Sequence, residues 1–94
     1  MDKKTEEFYE RLKEELRTTS TWPSIYLYKF IVPTEMSKII AVEDAFNNMG
    51  AVINTVQSKT GKFTSVSVNV NMESPEHVVE KYQEVSTIEG IISL

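Results

Sequence analysis

A chain of 94 residues with a net charge of −4 and no cysteine supports one hydrophobic core, and excludes a second domain, disulfides and thiolate-based zinc or redox chemistry. Its 40% apolar and 26% charged residues, with three Gly and three Pro, match a folded globular protein rather than a disordered one. No apolar run approaches the ~18 residues of a membrane span and the first residues are charged rather than signal-like, so a cytoplasmic protein with no membrane contact is expected.

The two charge signs are distributed differently in kind. Residues 1–22 hold six acids and five bases, including both arginines, Arg11 and Arg17; the other 72 residues hold eight acids and five lysines. A body without arginine lacks the planar fork that usually grips phosphates, so nucleic acid is not the expected partner.

From Lys3 to about Thr18, strong helix formers carry Phe8, Leu12 and Leu16 at intervals of four with Tyr9 beside them, and Glu7 is spaced to pair with Arg11. The pattern predicts a helix with a narrow apolar stripe. "TTSTWPS" then reads as a polar linker, because proline holds the residue before it out of the helical region. This divides the chain into a helix and linker over 1–21 and a compact domain over 22–94, with Trp22 anchoring the entry to that domain.

"IYLYKFIV", residues 25–32, is β-branched and aromatic and lies between Pro23 and Pro33, which predicts a strand. Lys29 sets its orientation: a lysine avoids a core, so Tyr26, Tyr28, Phe30 and Val32 face inward, and Leu27, Lys29 and Ile31 face outward. A helix is expected over about 35–48, capped by Thr34, with Ile39, Val42, Phe46 and Met49 on its inner side and Asn48-Met49-Gly50 as its stop. Residues 51–59 and about 62–72 form a hairpin, Gly61 taking the left-handed position at the turn. Ser74 caps a helix with Pro75 at its first position, and Val78, Tyr82 and Val85 form its buried stripe. "IEGIISL" closes the chain as a short strand.

After the first helix the order is β-α-β-β-α-β. Right-handed crossovers turn this order into an α+β, ferredoxin-like βαββαβ sandwich: a four-stranded antiparallel sheet with two helices on one face, here with an extra N-terminal helix. The other face is left open. In "SVSVNVNM" the valines Val66, Val68 and Val70 turn to the helices, so Ser65, Ser67, Asn69 and Asn71 line the open side. Together with Leu27, Lys29, Ile31 and Phe63 they make up the candidate interaction face. That face is either a wet surface, a seat for the N-terminal helix through Phe8, Leu12 and Leu16, or the contact with a homodimer mate or other protein partner.

Other motifs carry less. "KTGKFTSV" is weakly similar to an RNA-recognition strand, with Gly61 and Phe63 in place and Tyr26 or Tyr28 as the stacking ring, but Ser65 stands where a second aromatic is needed. His77 reads as an exposed helix residue; Glu73, Glu76 and Glu80 around it suit a helix start rather than a metal site. "TGK" at 60–62 joins two strands and is a turn, not a phosphate loop. No base, nucleophile and anion clamp assemble around Asn69 and Asn71, so no catalytic, cofactor or metal residue is assigned.

From about Trp22 to Leu94 the chain resembles the YbeD-like family of bacterial proteins, catalogued as domain of unknown function 493. The likeness rests on "WPSIYLYKFIV", "SKTGKFTSVSVNVNMES" and "VVEKYQEVSTIEGIISL". It implies a ferredoxin-like fold similar to ACT regulatory domains, with no established activity, and the ACT likeness suggests ligand-controlled regulation through dimers; the half-apolar open face and the missing catalytic set point to a non-enzymatic regulatory or protein-interaction module. ACT domains often sense amino acids or related metabolites through a glycine at the first strand-helix turn; that turn is "VPTEM" here.

Overall fold

The alternation in the two long strands is realised as a single ten-residue ladder. In the computed structural model, which describes residues 3–94, β1 (Ser24–Pro33) pairs antiparallel with β3 (Phe63–Met72), Ser24 opposite Met72 and Pro33 opposite Phe63. β2 (Val52–Gln57) flanks β3 on the other side, and the two-residue β4 (Ile92–Ser93) flanks β1, giving the order β2-β3-β1-β4 with every pair antiparallel. Three helices complete the chain: α1 (Lys3–Thr19), α2 (Met36–Ala45) and α3 (Pro75–Val85). The domain is therefore the ferredoxin-like sandwich expected, preceded by one helix.

The inward side chains of the ladder, Tyr28, Phe30 and Val32 on β1 with Val66, Val68 and Met72 on β3, are fully buried beneath Val42 and Phe46 of the α2 region and Val78 and Val85 of α3. Each such side chain contributes roughly 1.5–3 kcal/mol by leaving water. Aromatic rings dominate the centre: Tyr28 meets Phe46 and Tyr82 at centroid distances of 4.9 Å each, and stacks on Phe30 at 5.6 Å. The polar tips are satisfied, since the Tyr28 hydroxyl donates to the Val78 carbonyl at 3.0 Å and the Tyr26 and Tyr82 hydroxyls bond each other at 2.9 Å. Burial raises the pKa of the Tyr28 phenol; it also raises that of Tyr82, where the hydrogen bond with Tyr26 adds to the effect.

α3 begins as its sequence dictates. The Ser74 hydroxyl accepts from the His77 N–H at 3.1 Å and Pro75 fills the first helical position. His77 differs from expectation in being half-buried rather than exposed: its Nδ1 accepts from the Glu73 N–H at 3.4 Å, a reach back across the cap. α2 departs from expectation at both ends. Its N-cap is Glu35 without a side-chain cap, not Thr34. Thr34 still belongs to the ladder, donating its N–H to the Lys62 carbonyl at 3.0 Å and bonding the buried Thr64 hydroxyl at 2.8 Å, so it is not free to cap. At the other end the helix stops at Ala45 rather than 48, because Phe46 and Asn47 donate one residue short, to Glu43 and Asp44. Lys81 of α3 then supplies the terminal donor, its Nζ lying 2.6 Å from the Ala45 carbonyl.

The hairpin strands are also shorter than 51–59 and 62–72. Ser58 donates to the Phe63 carbonyl at 2.8 Å and Gly61 to the Ser58 carbonyl at 2.9 Å, folding the chain back with Gly61 at φ +75°. α1 lies on α3, on the helical side of the sheet. Leu16 packs against the core, the Trp22 indole donates to the Leu16 carbonyl at 3.1 Å, and Arg17 Nη2 meets Glu76 Oε2 at 2.7 Å. Ion pairs along α1 run Glu10–Lys13 at 2.7 Å and Glu14–Arg17 at 3.8 Å; among the described residues none joins Glu7 to Arg11.

Candidate interaction face

Because α1, α2 and α3 all stack on one side, the opposite side of the sheet is uncovered by any described element. Of the readings open from sequence, the one that seats the N-terminal helix on this side is corrected: α1 lies on α3, where Leu16 joins the existing core, while Phe8 at the other end of the stripe stays 59% exposed.

The register assigns the residues of the face without ambiguity. Lys29 stands opposite Ser67, Leu27 opposite Asn69 and Ile31 opposite Ser65, while Phe63 sits at the ladder end beside Pro33 and Asn71 opposite Ile25. Leu27, Lys29, Phe63, Asn69 and Asn71 are exposed; Ile31, Ser65 and Ser67 are half-buried among their neighbours. The eight residues singled out from the pattern thus share one surface.

Five further members escaped sequence reasoning. Val52 and Val56 stand opposite Asn69 and Ser65, which places both on the open side of β2, at 61% and 66% exposure. Ile92 lies opposite Ile31, Leu94 follows two residues on, and Ile25 shares the parity of Leu27 at 72% exposure. Parity along β1 was sufficient to find Ile25. The parity of β2 depends on the hairpin register, and that of the two-residue β4 on its pairing with β1, neither of which the sequence pattern states.

The result is a broad apolar surface crossed by a row of small polar groups. It holds a hollow of about 360 Å³ lined by Lys29, Ile31, Val56, Phe63, Ser65 and Leu94 among others. The rings that an RNA-stacking reading needs are on the wrong side: Tyr28 is buried and Tyr26 packs against Tyr28 and Tyr82, so β1 offers no aromatic to the open face. Among the described residues no three His, Cys, Asp or Glu side chains group as a metal-ion site, and no helix is long and apolar enough to cross a membrane.

Fold and surface together define an α+β sandwich with a one-sided helical layer and an apolar open sheet. Residues 17–94 match the model of a family described as proteins of unknown function (DUF493), and the chain belongs to that family. The match leaves most of α1 outside it and spans the whole sandwich. No curated protein and no solved structure matches the chain.

Proposed function

We propose that the protein is a non-enzymatic interaction module, regulatory in effect, whose open sheet face binds a macromolecular partner. The observation behind this reading is the uncovered face itself: Ile25, Leu27, Val52, Val56, Ile92 and Leu94 are all more than half exposed on one side of the sheet, and α1 lies on α3 rather than over them. An exposed apolar surface of this breadth, crossed by small polar groups, is characteristic of a docking site. A photo-crosslinking side chain placed at Leu27 is expected to yield a discrete adduct in cells that express the chain. The same group at Glu43 on the helical layer is expected to yield none. Equal labelling from both positions would overturn the reading.

The hollow beside Lys29 supports a second reading, a sensor for a small carboxylated metabolite such as an amino acid. A saturable thermal shift with a free amino acid, lost in Lys29→Met, would favour it over a macromolecular partner.

A further inference from the structure

The sheet ends on two unlike edges. On one side β4 is only two residues long; on the other β2 runs six residues, Val52–Gln57, with no charged residue, proline or glycine, and β3 is its one strand neighbour. Folded proteins usually blunt such an edge with a lysine, a proline or a bulge. The phase of the ladder shows which groups the edge presents. The Ser58 N–H donates to the Phe63 carbonyl at 2.8 Å, and bonded pairs alternate along an antiparallel ladder. Val52, Asn54 and Val56 therefore direct their main-chain groups to β3, whereas Ile53, Thr55 and Gln57 turn theirs outward. Among the described residues no loop or side-chain hydrogen bond reaches those outward groups.

A second feature lies one layer above the same edge. α2 crosses β3 on its way from β1 to β2, and α3 crosses β1 on its way from β3 to β4, so α2 is the helix beside β2. Ile39, Val42 and Phe46 pack into the core, and Ala41, Asp44 and Ala45 border a hollow shared with Glu84 and Ile88 on the α3 side. At about 100° per residue, the flank that remains, turned away from α3, carries Met36, Ile40 and Glu43. Met36 is 70% and Ile40 44% exposed.

We infer that β2 is a self-pairing edge: two copies of the chain join β2 to β2 antiparallel about a two-fold axis at Thr55, making one continuous sheet. In that register Ile53 stands opposite the partner's Gln57 and Thr55 opposite the partner's Thr55, so every outward group of both strands enters a bonded pair. Neutral side chains meet throughout: Asn54 faces the partner's Val56, and Lys59 falls opposite the partner's Ala51 rather than another lysine. The same rotation sets α2 beside its copy, with Met36 and Ile40 turned to the matching flank. An extended segment of another protein would satisfy the edge and leave that flank in water; a lone helix would do the reverse. A second copy meets both with one operation. This pairing does not use the open face, and so does not depend on what binds there.

The chain has no cysteine, so a single introduced thiol reports only on contacts between copies. Thr55→Cys sets two Cα atoms about 5.5 Å apart across a bonded pair, within disulfide reach. Lys59→Cys sets them about 27 Å apart along the paired strands, and Leu27→Cys samples the open face. Under mild oxidation Thr55→Cys is expected to form a covalent dimer about tenfold faster than the other two. Light scattering of the wild type over a dilution series is expected to show two chains per particle, and Thr55→Pro one. The N–H lost in Thr55→Pro points outward, so the ladder to β3 and cooperative unfolding persist. Ile40→Lys on the helix flank is expected to weaken the dimer about tenfold without touching the strand. A wild type that stays monomeric throughout would overturn the inference, as would a dimer that survives Thr55→Pro or one that cross-links fastest through Leu27→Cys. If Thr55→Pro does not unfold cooperatively, Ile40→Lys and the cross-linking rates decide alone.

Discussion

Replacing Tyr28 by Phe removes one oxygen from the middle of the core and leaves the ring in place. At neutral pH the loss is the hydrogen bond to the Val78 carbonyl at 3.0 Å. That carbonyl lies within α3 and keeps its helical donor, so no acceptor is stranded and the cost is about 1 kcal/mol, or a fall in Tm of about 4–8 °C for a domain of this size. Alkaline pH changes the balance, because burial raises the Tyr28 pKa above its ordinary value. A phenol that holds its proton more firmly when folded lends stability below the unfolded-state pKa of about 10, and that stability is lost as pH rises above it. At pH 11 the wild type forfeits about 1.4 kcal/mol through Tyr28, a penalty the Phe variant does not share. Urea unfolding of both proteins between pH 7 and 11 should therefore show the wild-type advantage shrinking by about 1 kcal/mol as the pH rises past 10. Tyr82 and the lysines titrate in both proteins and drop out of the difference. A gap that stays constant over that range would refute the claim that the Tyr28 hydroxyl is sealed in the core.

The one-sided packing makes substitutions on opposite faces of the sheet unequal. Phe30→Ala, at a fully buried position, should cost about 3–5 kcal/mol, while Asn69→Ala on the open side should stay within about 0.5 kcal/mol; similar denaturation midpoints would sink the assignment of faces. Arg17 and Glu76 should couple in a double-mutant cycle at neutral pH, since the hydrogen bond from Arg17 lowers the Glu76 pKa and raises that of Arg17 itself. A carboxylate with a lowered folded pKa lends stability above its unfolded value that disappears as pH falls through the folded one, so the coupling should vanish in acid; coupling that persists there would show that α1 is held to α3 without that pair.

Much of this architecture was legible because four residues decide the parity of the long strands. Lys29 excludes one orientation of β1, and the valines at 66, 68 and 70 exclude one orientation of β3; the ladder that joins them follows from both. Ser74-Pro75 carried its whole cap in the local sequence. What escaped depended on contacts distant along the chain. Thr34 is a good capping residue by type, yet its ladder bond to Lys62 outweighs that role. The stripe of α1 is compatible with either side of the sheet. Only the meeting of Leu16 with the core and of Arg17 with Glu76 selects α3. The open face was half read for the same reason: Leu27 and Ile31 sit on a strand with an internal clue, whereas Val56 and Ile92 take their direction from a neighbour.

The segregation of acids from the sheet gives the molecule two electrical poles. Glu35, Glu43, Asp44, Glu76, Glu80 and Glu84 outnumber Lys38 and Lys81 on α2, α3 and their entry, while Lys29 and the hairpin lysines Lys59 and Lys62 stand on or at the end of the sheet. An anionic body drifting near is repelled on one side and less so on the other, so collisions are sorted by orientation before any contact forms. With a screening length of about 8 Å at physiological ionic strength, that sorting acts only over the last approach, where the molecule turns its bare side forward.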